Sequence, residues 1–360
     1  MSQMIALGGV ACTTKTTILK KLKSLKLDDI EVHLHDYKEL NDLYNFDPRT
    51  GGMLFAAYRT GDAAAYRRDY KRVHVFDRQP MEALVYAAIH HNLNDSESLC
   101  AFLKCKKMGL CDGWVSVVLE PADGTEEIVV EKMRQRDNKL DVYSTQYVID
   151  QKNKFNQWRD VVGGDKFTVD WRVNVVAQQD AIVAAIRSKL SMWREMGDGV
   201  LLYGYRLPLL THKIAAFDLS GVIVVTKSGE TFSQNSFDWK IKHENLIDRF
   251  TELLDDDYTI IIMTDEASAY KTVNASFKRK IETVCRRIGL PVLAAVSCSF
   301  KCRKPNSGLF ERVRSMQPLI DLNQSFYCGG DDDDKSSRGV QFAANCGIKF
   351  YNDVSFFLSQ

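Results

Sequence analysis

Short apolar runs alternate along this chain with segments whose apolar residues recur every three or four positions, a pattern that predicts strands interleaved with helices. The run at 4–7, MIAL, stops at Gly8-Gly9. After Thr16, Ile18, Leu19 and Leu22 take up helical spacing, so the chain opens strand, turn, helix. Further strands are expected at 30–36, at 72–80 ending on Asp77-Arg78, at 114–121 and at 167–176. Helices are expected over 81–93, with Pro80 at its start, and over 181–196. Residues 128–158 read as a basic turn followed by a long amphipathic helix. The alternation resumes at 214–225 with IAAFDLSGVIVV, followed by strands at 258–267 and 291–299, helices at 245–256 and 276–289, and the segments SFYCGGDDDD and CGIKFYND continuing the α/β pattern. The predicted fold class is α/β, with two doubly wound parallel sheets. Residues 1–197 form one domain, 198–212 a glycine- and proline-bearing linker, and 213–360 a second domain.

Composition narrows this only slightly. At 360 residues the chain has room for two cores, and 45% hydrophobic with 26% charged residues is ordinary for a globular protein. A net charge of +1 gives no global field for nucleic acid, although a basic groove is compatible with it. The nine cysteines include no C-x-x-C pair and read as free thiols of a reducing compartment. No run reaches membrane-span length, and MSQMIALGGVAC lacks a basic leader. The expectation is a cytosolic or nuclear protein with no membrane partner, a viral protein in a host cell or virion included.

Gly9 to Thr16 read GVACTTKT, which keeps the first glycine, the lysine and the hydroxyl of a phosphate-binding loop in register and puts Thr14 where the second glycine belongs. Such a loop needs backbone N–H groups and a helix start aimed at phosphates, with a lysine on the β and γ oxygens. Together with VFDRQPMEALVYAAIHHNL and MRQRDNKLDVYSTQYVIDQKNKF, it resembles the thymidine/deoxynucleoside kinase family, most closely the herpesvirus type, over about 1–190. The resemblance implies that Gly9, Lys15 and Thr16 bind ATP, with Thr16 and Asp77 on magnesium. It implies that Arg78 touches the acceptor side, that Arg134 and Arg136 close as a lid, and that Asp36 is the base. The family's base-reading glutamine is missing from 53–70, so the acceptor is expected not to be plain thymidine.

The second domain carries FDLSGVIVV, IIIMTDEA, KCRKPNSGLFERV and SFYCGGDDDD. These motifs resemble the phosphatase domain of polynucleotide kinase/3′-phosphatases, in the haloacid-dehalogenase-like superfamily, over 213–358. The resemblance implies Asp218 as nucleophile forming an acyl-phosphate, Thr264 and Lys304 as phosphate holders, and magnesium on Asp218 and a distal acid. Ser220 stands at the general acid/base position, and Gly330 at that of the metal acid, with Asp331 and Asp332 next to it as candidate metal ligands. Serine is no carboxylic acid, so weak or absent 3′-phosphatase activity is expected, with Glu266 the first candidate to supply a proton should turnover be fast.

The function that follows is a kinase/phosphatase acting with ATP and Mg2+ on nucleic-acid ends or nucleotides, its motifs eroded at Thr14, Ser220 and Gly330. The alternative is an inactive descendant that uses both pockets to bind nucleic acid, nucleotide, a protein partner or a second copy of itself. ATP and magnesium binding separate the two.

Overall fold

The computed structural model describes residues 3–34, 37–47, 50–230, 235–266, 274–330 and 337–358. The chain divides into two compact units, Gln3–Ser188 and Lys189–Gln360.

The first unit is built on five parallel strands: β1 (Met4–Gly9), β2 (Ile30–His33), β3 (Val73–Asp77), β4 (Trp114–Pro121) and β5 (Gly164–Val169), in the order β2-β3-β1-β4-β5. All six residues of β1 are buried, as a strand covered on both faces requires. Strand order reverses on either side of β1, and the crevice at the carboxyl ends there is where open α/β sheets take ligands. Gly9 and Asp77 end the two strands that flank it. One face is closed by the helices Asp95–Lys107 and Thr145–Val162, where Phe102 meets the fully buried Trp158 edge-on at 5.2 Å. The basic segment after β4 is not a turn. Residues Glu126–Arg136 form a helix, so Arg134 and Arg136 stand on its last turn, where cations suit the helix dipole. The strand expected at 167–176 starts and ends earlier, and Val175 opens the helix that runs to Lys189.

The second unit holds a seven-stranded sheet. Its strands are β6 (Ser191–Glu195), β7 (Val200–Tyr205), β8 (Lys213–Asp218), β11 (Tyr258–Thr264), β12 (Val292–Ser297), β13 (Phe326–Gly329) and β14 (Lys349–Asn352). A separate antiparallel pair, β9 (Val224–Val225) and β10 (Lys240–Ile241), follows β8. The large sheet runs β14-β13-β8-β11-β12-β7-β6, parallel through β12 and antiparallel beyond it. The helix expected to continue through 196 therefore gives way to β6, and much of the expected linker 198–212 is β7. Gly197 and Gly199 take positive φ, and the chain turns there. β7 then pairs all six of its residues with β12 and buries Val200 and Leu202 in the core with Ile214, Ile261 and Phe310. Asp218 and Thr264 end adjacent central strands. Among the described residues no helix is long and apolar enough to cross a membrane.

Two candidate phosphoryl-transfer sites

In the first unit the chain leaves β1 at Gly9 with φ +110°, and a Cβ there would lie 2.1 Å from the Leu119 carbonyl oxygen, so only glycine fits. The loop then curls into the helix Lys15–Ser24 through Thr14, itself left-handed at φ 64°. A β-branched residue in that conformation costs roughly 1–2 kcal/mol. The loop therefore takes the curl that glycine would allow, with Thr14 bearing the strain. The Lys15 ammonium donates to the carbonyls of Val10 at 2.5 Å and Gly9 at 3.2 Å and to Thr13 Oγ1 at 3.3 Å. Burial, and secondarily Arg78, pull its pKa down to about 7.

Arg78 reaches the same place, donating to Gly9 O at 2.9 Å and to Glu82 Oε2 at 3.3 Å. Burial works against its charge, but Tyr86, Glu82 and Asp77 outweigh burial and raise its pKa. Three groups at this site were not legible in the sequence. Arg59, buried in a helix, donates to the carbonyls of Asp77 at 2.6 Å and Arg78 at 2.8 Å, and so pins the end of β3. Buried Glu82 balances Arg78, and burial raises its pKa. Gln151 accepts the Ala11 N–H of the loop at 2.9 Å. Arg136 is ion-paired to Asp141 and is electrostatically coupled to Cys12 and Lys15 of the loop. Arg134 is exposed on the same helical turn, and Asp36 lies outside the described residues. Thr16 stands on the exposed first turn of its helix, and Asp77 ends the neighbouring strand. A hydroxyl and a carboxylate suit a hard cation that keeps most of its waters, so these two would hold magnesium, which there would neutralise phosphate charge.

In the second unit Asp218 accepts the Leu219 N–H on Oδ1 at 2.9 Å and the Lys304 ammonium on Oδ2 at 2.6 Å. Lys304, itself buried, also donates to Tyr327 Oη at 2.9 Å. Burial and the Asp218 carboxylate push the Tyr327 pKa well above its ordinary value, so its hydroxyl keeps its proton beside the acid. Thr264 is buried at the end of β11, and its Oγ1 accepts the Glu266 N–H at 3.4 Å. Ser220 donates its hydroxyl hydrogen to Glu266, whose other oxygen takes the buried Lys280 ammonium at 3.1 Å. Asp265 is turned away to Arg338 at 2.7 Å and to the Lys304 N–H at 3.2 Å. The structure thus brings Asp218, Thr264, Lys304 and Ser220 together and adds Tyr327, Glu266 and Lys280.

A Cβ on Gly330 would have the Gly221 carbonyl oxygen as its nearest neighbour, at 3.9 Å, so the position faces the loop after Asp218 with room for a side chain. Glycine puts no carboxylate there, and Asp331 and Asp332 lie outside the described residues. Of the described carboxylates, Asp218 already holds the Lys304 ammonium, Glu266 the Lys280 ammonium and Asp265 the Arg338 guanidinium. These do not by themselves fit magnesium.

Comparison with known proteins matches residues 213–357 to the family described as polynucleotide kinase 3 phosphatase. An uncharacterised 33.9 kDa protein of the Lymantria dispar multicapsid nuclear polyhedrosis virus is 41% identical over 219 residues, 61% of this chain and 75% of that protein. The bifunctional polynucleotide phosphatase/kinase of Schizosaccharomyces pombe is 30% identical over 186 residues, 50% of this chain and 46% of that protein. Among solved structures, deoxyadenosine kinase from M. mycoides shares 15% identity over 51% of this chain and 99% of its own, with a TM-score of 0.38. The second unit therefore carries a polynucleotide kinase 3 phosphatase family domain over residues 213–357, and the chain belongs with the uncharacterised nuclear polyhedrosis virus protein it matches.

Proposed function

We propose that the second unit hydrolyses phosphate monoesters at polynucleotide 3′ ends through a phosphoaspartate on Asp218. The first unit, in this reading, transfers a phosphoryl group from ATP to a nucleic-acid end or nucleotide. The observation that carries the proposal is the Asp218 carboxylate at the carboxyl end of β8, with Lys304 2.6 Å away and Thr264 ending the adjacent strand. An Asp218 oxygen attacks phosphorus, and the bond from phosphorus to the 3′ oxygen breaks. Lys304 passes from the carboxylate to the phosphate oxygens as charge moves onto them. With serine at 220 the departing alkoxide takes its proton from water, which makes this step slow for an alcohol.

Water then attacks the phosphoaspartate, the bond from phosphorus to Asp218 breaks, and phosphate leaves. The proton of that water passes to the Ser220 oxygen as the serine's own proton moves to Glu266. Glu266, which accepts the Ser220 hydroxyl on one oxygen and the Lys280 ammonium on the other, is the acceptor within reach of that relay. The test is phosphate release from a 3′-phosphorylated oligonucleotide. Slow turnover that Asp218→Asn abolishes is expected, and equal turnover in the variant refutes the proposal.

Ser220 and Gly330 also support a second reading, in which both sites bind without turnover. Binding of ATP and of the oligonucleotide, with neither phosphate release nor phosphoryl transfer, would establish it.

A further inference from the structure

The segment that delivers Lys304 to the site also carries Phe300. At 78% exposure, Phe300 is the most exposed large apolar side chain among the described residues. Its backbone is held firmly. Ser299 caps the short turn Phe300–Cys302 by accepting the Cys302 N–H at 3.3 Å. The Phe300 carbonyl accepts from the Arg303 N–H and from Asn306 Nδ2, both at 3.3 Å. Cys302, in the same turn, is buried in the core. A lone exposed phenylalanine needs no explanation, but this one lies among cations. The Arg303 guanidinium stands 5.6 Å from the ring centroid and 3.7 Å from Asp265, and Lys301 is exposed beside it. Arg338 reaches the Lys304 carbonyl at 2.6 Å. Lys304 is four positions on from Phe300, at most about 14 Å of chain, and Lys304 holds Asp218.

An anchored aromatic face with guanidinium and ammonium groups beside it, leading to a phosphate position, is the arrangement that holds single-stranded nucleic acid. Bases stack on the ring, and the cations follow the backbone. We propose that Phe300, Arg303 and Lys301 form a stacking platform for the terminal bases of a single strand whose 3′-phosphate lies at Asp218. The platform then favours a polynucleotide end over a free nucleotide or a small phosphate ester, neither of which has a further base to stack on it. This rests on the phosphatase reading of the second unit and specifies its substrate.

The test keeps binding apart from turnover. Affinity for a 3′-phosphorylated oligothymidylate is measured by fluorescence anisotropy on Asp218→Asn protein, with and without Phe300→Ala. Loss of one stacked base should weaken binding by about 5- to 150-fold. Phe300→Trp should restore it, and Arg303→Ala should flatten the salt dependence. In the Asp218-containing protein, Phe300→Ala should lower kcat/KM for the oligonucleotide by a similar factor and leave that for p-nitrophenyl phosphate unchanged. If no form releases phosphate yet Phe300→Ala weakens binding, the platform stands and the catalytic reading fails. Undiminished oligonucleotide affinity in Phe300→Ala overturns the platform, as does a 3′-mononucleotide that competes as strongly as the oligonucleotide.

Discussion

Replacing Ser220 with aspartate should restore the missing proton donor, and the surroundings indicate how well. Ser220 Oγ already touches the Glu266 carboxylate, so the introduced carboxyl would stand beside a like charge. Glu266 already has the Lys280 ammonium as its partner at 3.1 Å, and the introduced carboxyl would have to share that site. Repulsion then falls on the introduced group and holds its proton at neutral pH, as a general acid needs. General acid catalysis contributes about 10²–10⁴-fold, or about 2.7–5.5 kcal/mol of barrier at 1.36 kcal/mol per tenfold. The assay compares two esters. The 3′ alcohol of an oligonucleotide needs a proton to leave, whereas p-nitrophenolate does not. Ser220→Asp should speed oligonucleotide hydrolysis by two orders of magnitude or more and leave p-nitrophenyl phosphate nearly unchanged. Equal acceleration of both, or of neither, refutes the reasoning about the acid. If neither responds, the absent carboxylate at Gly330 is the deeper defect. Gly330→Asp, for which there is space beside Gly221, should then raise the rate in a magnesium-dependent way.

Two further predictions concern the first unit. Thr14→Gly should relieve the left-handed strain at φ 64°. The gain, net of the glycine entropy cost, is about 1 kcal/mol in urea unfolding, with tighter ATP binding; a less stable variant contradicts this. Lys15, its pKa lowered to about 7 by burial, is mostly neutral at pH 8 and should regain its proton when phosphates arrive. ATP binding should therefore take up nearly one proton at pH 8 and little at pH 6. Calorimetry in buffers of different ionisation enthalpy reads this, and uptake independent of pH contradicts it. Because the unfolded lysine keeps its higher pKa, its burial weakens the fold most below pH 7, and the loss fades as pH rises toward the unfolded value.

Both sheets were legible because their central strands are buried on both faces and so read as unbroken apolar runs that stop at glycine or a single acid. The hairpin β6–β7 was not. SMWRE is half-exposed and follows a helix without a proline or glycine break, and VLLYGY follows two glycines and carries a third, which suggests a linker. Its strand character comes from pairing with β12, a partner almost a hundred residues away. The cluster of Asp218, Thr264 and Lys304 was legible because each residue ends a strand or sits in a compact motif. Glu266 was only a fallback, and Lys280 was invisible, because their roles arise from contacts across 46 and 14 residues. Arg59 reads as a surface residue of a helix, and only the fold turns it inward onto the carbonyls of Asp77 and Arg78.

The central claim is that Asp218 takes the phosphoryl group. Incubating the protein with a 3′-[32P]phosphorylated oligonucleotide, quenching in acid and sequencing the labelled peptide tests it most directly. The account predicts an acid-stable, hydroxylamine-sensitive label on Asp218. That label should accumulate further in Glu266→Gln, where the water that attacks the phosphoaspartate loses its proton acceptor, and should be absent from Asp218→Asn. Phosphate released with no label on Asp218, or a label that persists in Asp218→Asn, would contradict it.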